Sequence, residues 1–313
     1  MRIPRTTGWG VRLAFAAAGI SGVSVYLNGL MVKSFPDPTL LAGVRNGLVG
    51  LAFIGVLAVA AARRPRGARP ADRAPAGRRE VLGLAFLGIV GGGVAFGLFF
   101  QGLALAASPA SAVIQKTLFL WVALLAWPLL GERHGAWTLA ALAALVAGTF
   151  LLDPPTGLGL GAGELLILAA TLLWALEAIV ARRLLPRIGA PTGAAARMTV
   201  GSIVLLGVVA SGGGPAGLGA WTATQWGFVA LTAVLLAGYV GCWYGALERA
   251  PATVVTSVLV VGALITAALR AIAGGTLPAE SRLAGLALLA LGAAVMAGVA
   301  LRGRASDRVA ADG

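Results

Sequence analysis

Five ionisable residues stand inside long apolar stretches: Arg45, Lys116, Glu177, Arg197 and Arg270. A charged side chain in the middle of a bilayer costs about 2.5–3.5 kcal/mol on insertion scales, so each needs a reason to be there. Lys116 is the best placed to attract an acidic group. It follows Gln115, and Ser111, Gln115 and Thr117 bring further polar atoms near it. Ser111 and Gln115 are four apart on one helical face, and Lys116 lies ~100° round from Gln115. These residues border one polar sector suited to a carboxylate or phosphate. Glu177 is the single acid of the five. It could carry a coupled proton, as acids within transporter spans do, or it could pair with Arg182 or Arg197. The sequence leaves both open. Trp174, three residues earlier, shares the face of Glu177 and could wall a cavity.

Arg45 and Arg197 could line a solute path or hold carbonyls of a neighbouring helix. Arg270 is read as neutralising Glu280 or acting at an outer gate. Glu132 ends an apolar segment beside Arg133 and His134, which suits a gate or a helix end. Tyr239 and Trp243 are four apart and could add an aromatic wall. Trp9, Trp137, Trp221 and Trp226 read as anchors at the membrane–water interface. Asp153 and Glu248 are read as solvated span ends.

The elements that position these residues follow from composition. Of 313 residues, 59% are hydrophobic and 11% charged, with a mean hydropathy of +0.92. A soluble domain would carry about 25% charged residues, so this chain reads as a polytopic α-helical membrane protein. Ten apolar segments of spanning length are read at roughly 11–33, 39–62, 81–106, 110–130, 135–152, 163–184, 192–211, 224–247, 252–273 and 283–301. Prolines and glycine runs separate them. The runs are too long for the ~10-residue alternation of a membrane β-barrel.

Arginine placement sets the expected topology. With the N-terminus inside, the inner regions hold Arg2, Arg5, Arg12, seven arginines between 63 and 79, Arg133, Arg182, Arg183, Arg187, Arg249, Arg302, Arg304 and Arg308. The outer loops hold Lys33 and Arg282. Both termini are therefore expected in the cytoplasm. This also accounts for the net charge of +13 without nucleic acid. The basic 63–79 loop is read as a topology signal.

The chain repeats itself. Residues 102–113 close one helix, turn at Pro109 and open the next; residues 245–255 do the same around Pro251. Arg45 and Gly50 are echoed by Arg197 and Gly201. The reading is five spans plus five: a first repeat at 1–152, a second at 153–302 and a cytoplasmic tail at 303–313. Five is odd, so the second repeat is inverted relative to the first, as in many secondary transporters. Small-residue pairs such as Gly43 with Gly47 and Gly93 with Gly97 allow close helix approach.

The ten spans, the two repeats and the stretch from Gln101 to Phe150, with Ser108–Ile114 and Leu130-Gly131-Glu132, resemble the EamA-type carriers of the drug/metabolite transporter superfamily. In the second half, Gly274-Gly275 stands where Gly-Glu is expected. The resemblance implies a carrier exporting small metabolites or amino acids from a bacterial inner membrane.

The residues alone point to an amino acid or organic acid moved by alternating access. Efflux of hydrophobic or cationic drugs is the alternative, and a lipid-modifying membrane enzyme a more distant one. No Gly-x-x-x-x-Gly-Lys-Ser/Thr loop is present for ATP, and one Cys with one His gives no zinc set. The expected partners are a small-molecule substrate and the lipid bilayer, with no nucleic acid and no cofactor, in a monomer or homodimer.

Overall fold

The computed structural model describes residues 7–31, 34–63, 77–105, 110–154, 161–212, 219, 221–274 and 279–309. Ten helical rods account for nearly all of them. They are the first (Thr7–Met31), second (Pro38–Ala62), third (Arg78–Leu105), fourth (Ala110–Leu130), fifth (Ala136–Leu152), sixth (Ala162–Ile188), seventh (Ala190–Ser211), eighth (Ala223–Arg249), ninth (Ala252–Gly274) and tenth (Glu280–Val309). Nine among the described residues are long and apolar enough to cross a membrane. The fifth is an apolar helix of 17 residues, about 25 Å long. The tenth continues to Val309, beyond the 302 boundary expected from hydropathy.

Local chemistry sets the helix ends. Asp37 Oδ1 accepts from the backbone N–H of Thr39 at 2.7 Å and of Leu40 at 3.1 Å, with Pro38 opening the second helix. Thr222 and Gln225 form a capping box at the eighth. A single residue, Gly189 at φ +83°, joins the sixth helix to the seventh, and that φ favours glycine.

Three rods are not regular. Leu87–Val94 in the third forms a π-helix. The fourth is interrupted at Thr117, where i→i+3 backbone bonds join the α pattern, and the ninth at Val260–Val261, where they replace it. Hydropathy predicts unbroken spans at all three places. Apolar flanks hide a change of hydrogen-bond register, because hydropathy reports side chains and not the backbone.

The main packings of the bundle follow one pattern. The first helix packs on the eighth and ninth, and the sixth packs on the third and fourth. The third packs on the seventh, and the eighth on the second. The second meets the seventh, the fourth the ninth, and the fifth the tenth. Exchanging each helix for the one five places along leaves this set unchanged, as a two-fold relation between the halves requires. The breaks in the fourth and ninth helices obey it as well. Contacts are close: a Cβ built on Gly201 would lie 2.5 Å from the Gly92 carbonyl oxygen. Large apolar side chains such as Leu51, Ile203 and Val234 face outward, as lipid demands.

Trp221 departs from its expected interfacial role. It is buried against Phe35 and Phe228 in a satellite core beneath the 34–37 connection. The 64–76 part of the basic loop lies outside the described residues.

Candidate functional site

The sixth helix brings Glu177 to the centre of the bundle, where it is almost fully buried. Arg197 of the seventh helix donates Nε to Glu177 Oε1 at 2.9 Å and Nη2 to Oε2 at 3.3 Å. Tyr244 of the eighth donates its hydroxyl to Oε1 at 2.5 Å. Two side chains thus meet the carboxylate with three hydrogen bonds, and the charge-assisted ones fix its orientation. Of the two arginines that the sequence offers as partners, Arg197 is the one that pairs with Glu177. Arg182 instead donates to the Leu247 and Glu248 carbonyls at the end of the eighth helix.

The π-helix makes room for this group. Gly91 lies so close that a Cβ there would be 2.4 Å from Glu177 Cγ. The Gly91 carbonyl accepts from Trp174 Nε1 at 3.1 Å and from Arg197 Nη2 at 3.4 Å. Phe96 packs edge-on to Trp174 with centroids 5.2 Å apart, and the Arg197 guanidinium sits 5.6 Å from the centroid of the Phe96 ring. A widened turn lined by glycines lets a wide aromatic and ionic cluster approach the third helix backbone.

Above this floor lies a cavity of about 730 Å³ between the two halves. The interrupted segments border it through Gln115, Lys116, Leu118, Leu259 and Val260. Irregular backbone at membrane depth is tolerated where it lines such a space. Phe96, Phe99 and Trp174 form one aromatic wall. Tyr239 and Trp243, stacked with centroids 6.2 Å apart, line the cavity from the eighth helix. The lining extends to Asp153, Ala279 and Arg282 at the helix ends opposite the arginine-rich side.

Lys116 lines the cavity but is not free. It forms an ion pair with Asp153 at the end of the fifth helix, a residue that the sequence alone places at a solvated span end. The ionisable groups lining the cavity are Lys116, Arg197, Arg270 and Arg282 against Asp153 and Glu177, an excess of two cations. Arg270 lies on the cavity wall, and no ion pair joins it to Glu280 among the described residues.

Arg45, expected on the solute path, and Glu132, expected at a gate or helix end, both lie outside the cavity lining. Arg45 donates Nη1 to Asn28 Oδ1 at 3.4 Å. The Glu132 carboxylate accepts from the backbone N–H of Ala252 at 2.7 Å and of Thr253 at 3.1 Å. It therefore caps the ninth helix from the fourth, tying the two halves together. Gly131, at φ +68°, makes the turn that aims it. The Ser111 side chain lies outside the described residues.

Other ties close the arginine-rich end. Glu248 Oε2 accepts from Ala190 N at 3.2 Å, and Arg183 donates to the Leu129 carbonyl. The sequence reading missed Tyr244 and Asp153 as partners of Glu177 and Lys116, and Phe96 and Phe99 as aromatic wall. The Gly91–Gly93 run and the i, i+3, i+4 phenylalanines at 96, 99 and 100 were the available signals.

A two-repeat bundle of membrane-length helices around a solute-sized, charge-lined cavity is the architecture of a membrane transporter. The family model for the EamA-like transporter family matches residues 8–152 and again 161–298. The chain belongs to that family. A solved structure described as "Crystal structure of protein" shares the fold, at a TM-score of 0.74 and 19% identity, over 92% of this chain and 97% of that one. No curated protein matches in sequence.

Proposed function

We propose that the protein is a secondary transporter that exports a small amino acid or organic acid by alternating access through the central cavity. The observation that carries this reading is the cavity's charge pattern. Two of its cations are already met by Asp153 and Glu177, and Arg270 and Arg282 remain to attract a carboxylate. The aromatic walls suit an apolar body attached to that group. A volume of about 730 Å³ is in the range of small-molecule sites. Arginine asymmetry supports placing the closed, tied end in the cytoplasm, with both termini there, in a bacterial inner membrane. The helix-end ties of Glu132, Arg182, Arg183 and Glu248 are then the contacts that part when the cavity opens inward.

Efflux of a hydrophobic cation fits less well. Glu177, the acid that would attract it, is already held by Arg197 and Tyr244.

Counterflow in proteoliposomes tests the reading. Vesicles loaded with unlabelled neutral or acidic amino acids should accumulate the labelled solute transiently above equilibrium. A carrier does this and a channel does not. Accumulation of lipophilic cations with no response to any acid would refute the substrate class.

A further inference from the structure

The second helix holds a cation that the cavity does not use. Arg45 stands eighth in its helix, as Arg197 stands eighth in the seventh. The repeat makes them counterparts, yet their surroundings differ. Arg197 is held by a carboxylate through two nitrogens. Arg45 makes one long hydrogen bond, to Asn28, and its Nε is buried with no partner. By the offset of 152 that relates Arg45 to Arg197, Val25, next to Ser24, stands where Glu177 would, so the first repeat has no acid at that place. The Ser24 hydroxyl is also buried with no partner. No carboxylate among the described residues pairs with Arg45.

The neighbours are rich in donors. Asn28 receives Arg45 on Oδ1, which leaves its amide N–H groups to donate. Ser24 lies one turn from Asn28 on the same face. Leu27, Met31 and Val44 pack against the Phe35–Trp221–Phe228 cluster and set an apolar cover beside the group. A half-buried guanidinium whose Nε is withdrawn from water and faced by donors lacks a counter-charge that an anion would supply.

We infer that Arg45, with Asn28 and Ser24, binds a small monovalent anion, a halide or a short carboxylate. That anion fills the role in the first repeat that the Glu177 carboxylate fills in the second. The site is separate from the cavity lining, and the inference is independent of the transported solute.

Thermal unfolding of the full-length protein in detergent tests it. Sodium gluconate, a bulky reference salt, is replaced by chloride or acetate at constant ionic strength. The midpoint should rise saturably by about 2–4 °C. A response to chloride alone identifies a halide site, and a response to acetate a carboxylate site. Arg45→Gln should abolish the rise, and Arg79→Gln, at an exposed arginine, should keep it. Asn28→Asp supplies a carboxylate beside Arg45. It should raise the midpoint in gluconate and remove the anion response, which covers the case of an Arg45 variant that does not fold. Equal midpoints in all three salts, or a full anion response in Asn28→Asp, would overturn the inference.

Discussion

Glu177 and Arg197 are side chains of opposite charge taken out of water together. Each solvates the other, and Tyr244 holds the carboxylate from a third helix. Removing one partner leaves the other charged and almost fully buried. Arg197→Met alone should therefore cost about 3–5 kcal/mol of stability. The double variant Glu177→Gln/Arg197→Met should recover most of it, read as non-additive shifts in a denaturation cycle. Additive losses would mean that the pair is not a unit. Lys116 and Asp153 differ, because both are about a third exposed and screened. Their effect belongs in solute affinity and not in folding. Lys116→Gln should raise KM for an acidic solute about tenfold, whereas Asp153→Asn, which frees the lysine, should lower it. Both should leave the unfolding midpoint almost unchanged. KM shifts in the same direction would remove Lys116 from the solute path.

At the scale of elements, the third helix meets the seventh only because glycines stand at the contact. A Cβ on Gly92 would lie 2.3 Å from the Arg197 carbonyl oxygen, whereas one on Gly97 would meet nothing within 4 Å. Gly92→Ala should cost about 1–3 kcal/mol and slow transport, with Gly97→Ala close to neutral in both assays. Glu132→Ala should cost about 1 kcal/mol by exposing the start of the ninth helix. Helix positions were legible in the sequence because each is a long apolar run bounded by glycine or proline. The interruptions at Thr117 and Val260–Val261 were not, since apolar residues flank them on both sides. Leu130-Gly131-Glu132 was legible as a motif but not as a cap, because its partners lie 120 residues further on. Arg45 and Arg197 look alike in sequence. The carboxylate that separates them sits on another helix, and no local pattern reveals it.

For the whole molecule, the two-fold pairing of helices explains where the cavity lies and why both broken helices border it. On the proposed reading, the excess of two cations in the lining favours acidic solutes. On the same proposed reading the ties at the arginine-rich end close the cytoplasmic side, and Glu177 at the cavity floor carries a coupled proton. The measurement that bears most directly on this account is flux into sealed proteoliposomes, with labelled neutral and acidic amino acids, with and without an imposed pH gradient. The account predicts saturable uptake that follows the gradient, and loss of that dependence in Glu177→Gln. Saturable uptake that ignores the gradient in both proteins would contradict proton coupling through Glu177. Absence of any saturable acid flux, beside flux of lipophilic cations, would contradict the account as a whole.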